Sequence, residues 1–282
     1  MKLVSFRWQG SESYGAVLDG GAVDLGKRLG GRYPDLGSVL AADALGEAAD
    51  AAEGEAADVS LDEVTFLPVI PNPSKIVCVG LNYLTHRDEA GRGETGHPAI
   101  FTRFPETQVG HGQPVVRPRV SDKLDYEGEL ALIIGKPGRY IEEEGALSHI
   151  AGYACYLDAS LRDWQRHTDQ WTPGKNFPST GGFGPWMVTA DEIPDPTRLT
   201  LTTRLNGEVM QRSTTDLLIF TIPVLINYIS SFTELRPGDV IATGTPGGVG
   251  SRRDPPVFMQ AGDTVEVEIT QIGTLAHTIA DE

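Results

Sequence analysis

Residues 125–130 read DYEGEL, and the chain continues as ALIIGK up to residue 136. Asp125, Glu127 and Glu129 occupy every second position immediately before this apolar run. Alternate side chains of an extended strand share a face, so the spacing predicts that the three carboxylates lie together, followed on that face by apolar side chains. Carboxylates this close need either solvent or a cation beside them, which raises the question of what balances their charge.

Two interpretations fit this spacing. In the first, the strand is amphipathic and its acidic half is solvated. In the second, Glu127 and Glu129 bind one hard divalent ion such as Mg²⁺, which prefers carboxylate and water ligands. Asp158, at the end of the apolar segment IAGYACYLD (150–158), is then the candidate third ligand, although an aspartate before a predicted helix is commonly a helix cap. Spacing alone favours neither interpretation.

Composition and charge limit the class of protein. The chain has 282 residues, of which 40% are hydrophobic and 22% charged, as is typical of a soluble globular protein with a sizeable core. A net charge of −16 argues against nucleic acid as a partner. The first residues, MKLVSFRWQG, lack the apolar stretch of a signal peptide, and no run approaches the roughly 18 apolar residues of a membrane span. We therefore expect a cytoplasmic protein with no membrane partner.

The distribution of glycine, proline and apolar segments predicts a β-rich α+β fold. Three prolines in VTFLPVIPNPSK (64–75) indicate a boundary between a small N-terminal α/β domain (1–70) and a larger catalytic unit (71–282). Apolar segments predict strands at 75–83, 99–104, 129–135, 150–158, 239–244 and 263–273. We also expect a hairpin at 199–211 that turns at Asn206-Gly207, and helices at 159–168 and 217–232.

Six segments, in this order, resemble the catalytic domain of the fumarylacetoacetate hydrolase superfamily. They are GLNYLTHRDE (80–89), DYEGELALIIGK (125–136), GYACYLDASLRDWQ (152–165), PGKNF (173–177), LNGEVMQ (205–211) and PGDVIATGTPGGVG (237–250). The resemblance covers about residues 75–273, and the segment before residue 70 resembles, on weaker motifs, the small N-terminal domain of longer members. It implies a mixed β-roll catalytic domain, a homodimer, and a divalent ion, Mg²⁺ with Mn²⁺ or Ca²⁺ as alternatives.

The same resemblance implies roles for the acidic residues. Glu127, Glu129 and Asp158 fall on the metal-ligand positions of the superfamily, which favours the metal interpretation. Asp125 falls beside these positions and is expected to support them.

The helix predicted after Asp158 carries two residues on positions that bind substrate in the superfamily. These are Arg162 and Gln165, which helical spacing aligns on one face. Arg162 is expected to hold a substrate carboxylate by a forked contact. An ordinary arginine on a helix surface is the alternative interpretation.

Three further segments match catalytic or pocket positions. Lys175, predicted in a loop, is expected to reach the substrate and stabilise an enolate or oxyanion. His86 and Glu89 form an H-x-x-E pair that activates water on a mobile lid in many members, and GRG (91–93) directly follows them. Thr245, in a glycine-rich loop without a GK[ST] phosphate motif, is expected to line the substrate pocket. For Lys175 and the His–Glu pair, solvated surface charges are the alternative.

The resemblance implies a divalent-metal-dependent enzyme that cleaves a C–C bond in an acylpyruvate-like (2,4-dioxo acid) substrate through a metal-bound enolate. The second hypothesis is a 2-hydroxyhepta-2,4-diene-1,7-dioate isomerase or a 2-oxo acid decarboxylase of aromatic catabolism, working with the same metal site. The third is a non-catalytic binding protein that keeps the fold, against which the intact acidic positions and Lys175 argue. The sequence does not define the distal group of the small-molecule 2-oxo acid.

Overall fold

The computed structural model describes residues 1–91, 93 and 96–282. The strands within these ranges are β1 (Lys2–Trp8), β2 (Ser11–Leu18), β3 (Gly21–Asp24), β4 (Val59–Ser60), β5 (Thr65–Phe66), β6 (Ile76–Gly80), β7 (Ala99–Arg103), β8 (Gln108–Val109), β9 (Val115–Arg117), β10 (Leu124–Asp125), β11 (Gly128–Ile134), β12 (Ile150–Leu157), β13 (Ser160–Leu161), β14 (Gly181–Thr189), β15 (Thr200–Leu205), β16 (Glu208–Thr214), β17 (Val240–Ala242), β18 (Thr264–Ile269) and β19 (Gly273–Asp281). The helices are α1 (Leu25–Leu29), α2 (Leu36–Ala41), α3 (Leu45–Ala52), α4 (Leu84–Glu89), α5 (Arg162–Gln165), α6 (Thr172–Lys175) and α7 (Ile222–Phe232).

Two sheets and a short ribbon organise the described part of the chain. The main sheet runs in the order β4-β3-β2-β1-β14-β12-β11-β17-β6-β7, with β5 attached to β1 and β8 attached to β14. The second sheet runs β16-β15-β18-β19-β9, and β10 pairs with β13 as a separate ribbon. Most pairs are antiparallel, but β17 pairs with β6 in parallel, so the main sheet is mixed. The β-rich α+β prediction is confirmed.

The central strands β11 and β12 are buried along their whole length because both faces of the main sheet are covered. Leu130, Leu132 and Ile134 contribute to the core that includes the second sheet and α7. Ala131 and Ile133, on the opposite face, contribute to the core that includes helices α1 and α2. Alternate residues of ELALIIG therefore pack into two different cores, one on each face of the sheet, and the strand lies between them.

The N-terminal strands extend the main sheet. Strand β1 pairs antiparallel with β14, with Lys2 opposite Val188 and Leu3 opposite Met187. Leu3 and Met187 belong to one buried cluster, so the N-terminal segment and the catalytic segment share both hydrogen bonds and core. The division at residue 70 into two domains stays a prediction.

Two sequence-based predictions of local structure are wrong. The helix predicted for 159–168 is only the single turn α5, because Ser160 and Leu161 pair with β10 as strand β13. The helix predicted to begin at residue 217 begins at Ile222, since Pro223 lacks an N–H and fits only in a first turn. Strand β14 was not predicted, because its sequence GGFGPWMVT has the glycines and proline of a turn.

No helix within the described ranges is both long enough and apolar enough to cross a bilayer. The two cysteines, Cys78 and Cys155, are free thiols buried in the core, as their apolar surroundings predict.

Candidate active site

The pairing of β11 with β12 brings three carboxylates together. Gly128 lies opposite Leu157, and the chain continues the ladder as Asp158 donates its N–H to the carbonyl oxygen of Glu127 at 2.9 Å. Residues directly opposite on paired strands share a face, as do residues two apart on one strand. Glu127, Glu129 and Asp158 therefore converge, and one carboxylate oxygen from each lies within 4.8 Å of the others. All three side chains are buried.

Protein cations offset the charges of these carboxylates unequally. Burial, together with the charges of Asp158 and Glu127, raises the pKa of Glu129 well above its ordinary value. Burial would also raise the pKa of Glu127, but the charges of Arg162 and Lys175 hold it well below its ordinary value. Glu129 is thus the carboxylate for which additional positive charge would most favour ionisation.

Lys175 provides one of the nearby cations. Its ammonium nitrogen lies 2.6 Å from Glu127 Oε2 and 2.5 Å from Asp158 Oδ2, and its side chain is buried. Burial alone would lower the pKa of this lysine, but Asp158 and Glu127 raise it, so the group is a protonated ammonium. The residue lies at the end of the short helix α6, not in a loop as predicted. The alternative of a solvated surface lysine is excluded.

Arg103 is a second buried cation, and it was not among the residues predicted for the site. Its Nη1 donates to Asp158 Oδ1 at 2.7 Å and to the carbonyl of Ala159 at 3.1 Å, while Nη2 donates to Thr180 Oγ1 at 2.8 Å. Alternation along AIFTRF places Arg103 on the same inward face as Phe101, a signal that was available in the sequence. Arg103 fixes the orientation of Asp158.

Arg162 is a third buried cation, which excludes an ordinary surface arginine. Its Nε donates to Asp125 Oδ2 at 2.7 Å, and Nη2 lies 2.7 Å from Glu127 Oε1 without the angle of a hydrogen bond. Nη1 donates to Gln165 Oε1 at 2.9 Å, so the predicted substrate-binding residues contact each other. A forked contact from Arg162 to a substrate carboxylate would require at least one of these ion pairs to break. Its role in binding substrate stays a prediction.

Asp125 does not lie with the other carboxylates, so the prediction that it shares their face is wrong. Strand β10 ends at Asp125 and β11 begins at Gly128, which breaks the alternation. The carboxylate instead accepts the backbone N–H groups of Gly250 and Ser251 at 2.8 and 2.9 Å. With its contact to Arg162, Asp125 supports the site without entering the three-carboxylate cluster, as expected of a supporting residue.

His86 and Glu89 form a pair on helix α4. The Nδ1 atom of His86 lies 2.7 Å from Glu89 Oε1, and Glu89 Oε2 accepts the N–H of Gly248 at 2.8 Å. A carboxylate only accepts hydrogen bonds, so the proton between the two side chains resides on Nδ1 and leaves Nε2 able to accept another. This is the arrangement of a general base with an orienting carboxylate.

The predicted lid extends beyond this helix. Arg92, Glu94 and Thr95 lie outside the described residues, so the lid prediction is not tested there.

The glycine-rich loop after β17 joins the helix to the acidic cluster. The N–H of Gly244 donates to Glu129 Oε2 at 2.8 Å, four residues before the glycine that binds Glu89. The hydroxyl of Thr245 donates to the carbonyl of Gly128 at 2.9 Å and accepts from Gln211 Nε2 at 2.8 Å. Thr245 thus anchors the loop against β11 as well as lining the pocket.

A cavity of about 710 Å³ opens onto this arrangement. Seven of the nine predicted site residues line it, while Asp158 contacts Lys175 and Glu89 contacts His86. The cavity is lined by Glu127, Glu129, Arg162, Gln165, Lys175, His86 and Thr245, and by a rim that includes Arg166, His167, Asp169, Trp171, Ser251 and Arg252.

The residues present fit a hard divalent ion. Three carboxylates offer oxygen ligands from one small region, which is the donor set that Mg²⁺, Mn²⁺ and Ca²⁺ prefer. The raised pKa of Glu129 shows that further positive charge beside it is favourable. Glu127, Glu129 and Asp158 would hold the ion, and the choice of Mg²⁺ stays a prediction.

Comparison with known proteins supports the same family. The chain is 43% identical over 219 residues to the mitochondrial oxaloacetate tautomerase FAHD2A of Bos taurus, covering 77% of this chain and 70% of that protein. A solved fumarylacetoacetate hydrolase from Exiguobacterium antarcticum is 34% identical with a TM-score of 0.82, and 100% of each chain is covered.

A second solved structure carries ligands. Maleylpyruvate hydrolase from Sphingobium sp. SYK-6, in complex with manganese(II) and pyruvate, is 30% identical with a TM-score of 0.84, covering 100% of this chain and 99% of that one. Residues 75–280 match the family described as the C-terminal domain of fumarylacetoacetate (FAA) hydrolase. The chain is therefore an enzyme of the fumarylacetoacetate hydrolase family.

Proposed function

We propose that this enzyme uses a divalent metal ion to interconvert the keto and enol forms of a small 2-oxo acid of the oxaloacetate class. The observation that carries the proposal is that His86, Glu127, Glu129 and Lys175 line one cavity, with Glu89 bound to His86 and Asp158 bound to Lys175. The relatives at 43% identity that are named oxaloacetate tautomerases support this reaction over the C–C cleavage expected from the sequence.

The charges of the site support a monoanionic head group on the substrate. A divalent ion supplies Lewis acidity toward the adjacent carboxylate and oxo oxygens of a bound 2-oxo acid. With all four carboxylates ionised, the buried cluster is one positive charge short, and with a divalent ion it has one positive charge in excess, which one carboxylate of the substrate neutralises. The groups counted are Asp125, Glu127, Glu129 and Asp158 against Arg103, Arg162 and Lys175.

Lys175 and His86 supply the two sites of proton chemistry. The His86 Nε2 atom accepts the proton from the carbon next to the oxo group, while Glu89 holds the imidazolium that forms. The electron pair of the broken C–H bond moves onto the oxo oxygen as an enolate. The Lys175 ammonium donates a hydrogen bond to that oxygen and transfers its proton to give the enol, and solvent then reprotonates Lys175 and takes the proton from His86. The reverse sequence returns the keto acid.

C–C hydrolysis of an acylpyruvate is the second candidate. The same His86–Glu89 pair could take a proton from water, whose oxygen attacks the distal carbonyl as the C–C bond breaks and pyruvate enolate leaves. The structural likeness to maleylpyruvate hydrolase with bound pyruvate favours this reaction. The isomerase and decarboxylase hypotheses would use the same enolate.

The test follows both reactions with one preparation of protein. Enzyme stripped with EDTA is supplied with Mg²⁺, Mn²⁺ or Ca²⁺, and the ultraviolet absorbance of enol-oxaloacetate is recorded. We expect metal-dependent acceleration of its conversion to the keto form and no pyruvate from acetylpyruvate. Pyruvate release without tautomerisation would replace the first candidate with the second.

Substitution of the base checks the assignment of His86. His86→Asn is expected to lower kcat by about 10²- to 10⁴-fold, the usual contribution of a positioned acid or base, with metal binding unchanged. His149→Asn provides the matched control, because His149 contacts the carbonyl of Lys136 and does not line the cavity. Full activity in the His86 variant would contradict the assignment.

A further inference from the structure

Two arginines stand at the rim of the active-site cavity, away from the three carboxylates. Arg166 and Arg252 both line the cavity and are exposed. Within the part of the chain that the structure describes, neither guanidinium forms an ion pair within 4.0 Å; Asp169, on the same rim, forms none with them. Arg252 makes one long contact, from Nη2 to the carbonyl of Ala90 at 3.4 Å.

The fold holds the segments that carry these two arginines against each other. The buried carboxylate of Asp125 accepts two backbone N–H groups of the turn Gly250–Arg252 at 2.8 and 2.9 Å. The same carboxylate binds Arg162, the first residue of α5, and Arg166 directly follows that helix. One buried anchor therefore fixes both attachment points, so the position of each arginine on the rim is determined by the fold.

Two adjacent like charges are unfavourable unless an anion joins them. Both guanidinium groups line one cavity, and partial burial of Arg166, followed by the positive charges of Arg252 and Arg162, lowers the pKa of Arg166. The chain carries a net charge of −16, so acidic side chains outnumber basic ones and cations have many possible partners. The arginines on this rim nevertheless face the cavity together.

We propose that Arg166 and Arg252 form a second anion-binding subsite, which selects 2-oxo acids that carry a second carboxylate at their distal end. The inference rests on the proposed function, in which the 2-oxo acid head lies at Glu127, Glu129 and Asp158. The head carboxylate neutralises the charge of the metal-loaded centre, and the distal carboxylate binds the two guanidinium groups. The pair determines specificity and takes no part in the proton transfer.

The test compares substrates that share a head and differ at the distal end. Oxaloacetate has a distal carboxylate, and its 4-methyl ester has a neutral group in that position. We expect Arg166→Gln and Arg252→Gln each to raise KM for oxaloacetate by about tenfold, the effect of losing one hydrogen bond to a charged group, with kcat little changed. KM for the ester is expected to stay constant. Arg→Lys at either position should restore part of the affinity because it keeps the charge.

A matched control removes a positive charge elsewhere. Arg198 is exposed, pairs with Asp195 and does not line the cavity, so Arg198→Gln is expected to leave both KM values unchanged. Equal changes for the acid and the ester, or no change in either arginine variant, would overturn the subsite.

A binding experiment separates this inference from the proposed function. If the wild-type protein turns over neither substrate, the proposed reaction fails. Calorimetry in the presence of Mg²⁺ then tests the subsite by measuring the affinities of two ligands. 2-Oxoglutarate and 2-oxopentanoate have the same chain length, but only the first has a distal carboxylate. Tighter binding of 2-oxoglutarate that disappears in Arg166→Gln and Arg252→Gln supports the subsite; equal affinities overturn it.

Discussion

At the scale of single residues, the site is a buried network in which each charge depends on its neighbours. Arg103 contacts one oxygen of Asp158, and Lys175 contacts the other. Lys175 also contacts Glu127, whose second oxygen faces Arg162. Removing one member of such a network leaves a buried charge without its partner, which costs more than the pair itself contributes.

The first prediction concerns Arg103. Arg103→Met fills a similar volume but leaves Asp158 Oδ1 without its cation, so we expect the free energy of unfolding to fall by about 3–5 kcal/mol. Urea denaturation in EDTA measures this change. Adding Mg²⁺ should recover part of the loss, because the ion would supply the missing positive charge beside Asp158.

Arg198→Met provides the comparison, since Arg198 is exposed on the surface and should give no measurable change. A loss in Arg103→Met as small as that of this control would contradict the importance of the buried contact.

The spacing of the acidic residues could be interpreted from the sequence, but their network could not. Glu127 and Glu129 belong to one strand, so local alternation places them together. The position of Asp158 beside Glu127 depends on the register between β11 and β12, and the ion pairs of Arg162 depend on how α5 packs. Neither is a local property, so the sequence did not reveal that Arg162 binds Asp125.

At the scale of elements, the glycine-rich loop after β17 connects the base to the acidic cluster. The N–H of Gly244 binds Glu129, and the N–H of Gly248 binds Glu89. Both glycines have positive φ, of 106° and 102°, a conformation that other residues rarely adopt. The loop thus requires glycine at both of its contacts with the site.

The second prediction tests this loop. A Cβ at Gly248 would lie 2.3 Å from the carbonyl oxygen of Met210, so Gly248→Ala must displace the backbone that binds Glu89. A hydrogen bond to a charged group contributes about 1.5–3 kcal/mol, so we expect kcat to fall by about 10- to 100-fold.

Gly112→Ala serves as the matched control for backbone strain. Gly112 has φ of 74° and no atom within 4 Å of an added Cβ, so both variants share a conformational cost of about 1–2 kcal/mol. Thermal unfolding should show the conformational cost in both variants and a further loss from the steric clash in Gly248→Ala, while kcat falls only in Gly248→Ala. An unchanged kcat in Gly248→Ala would contradict the role of this loop in positioning Glu89.

Strands with an unbroken apolar sequence could be predicted, and a strand that contains glycines and a proline could not. Strands β11 and β12 have unbroken apolar sequences and match the predicted segments within one residue at each end. Strand β14 contains three glycines and a proline but is held by β1 and β12 on either side. Tertiary pairing there overrides the local preference for a turn.

At the scale of the whole molecule, the two sheets bury titratable groups that have no role in the site. His277, in β19, is buried, and its Nδ1 donates to the carbonyl of Gln113 at 2.8 Å. Its Nε2 has no hydrogen-bond partner in the described part of the chain. Burial lowers the pKa of His277 to about 4, because a charged imidazolium would lack a counterion.

The third prediction is a loss of stability in mild acid. An unfolded histidine takes up a proton near its ordinary pKa of about 6.5, whereas His277 in the folded protein does so only near pH 4. The unfolded state therefore binds more protons between these values, and the free energy of unfolding falls as pH decreases, by about 3 kcal/mol in total.

Chemical denaturation at several pH values between 4 and 7 measures this slope. His277→Gln should flatten it, because the substituted side chain does not titrate. Identical slopes in the variant and the wild-type protein would contradict the assignment to His277.

The homodimer and the cytoplasmic location stay predictions.

We propose that Glu127, Glu129 and Asp158 hold one divalent ion beside His86. The most direct measurement is X-ray diffraction at the manganese absorption edge from crystals grown with Mn²⁺ and pyruvate. We expect one anomalous peak per chain within about 2.6 Å of an oxygen from each of the three carboxylates, and we expect Glu129→Gln to abolish it. A peak elsewhere, or one that persists unchanged in Glu129→Gln, would contradict it.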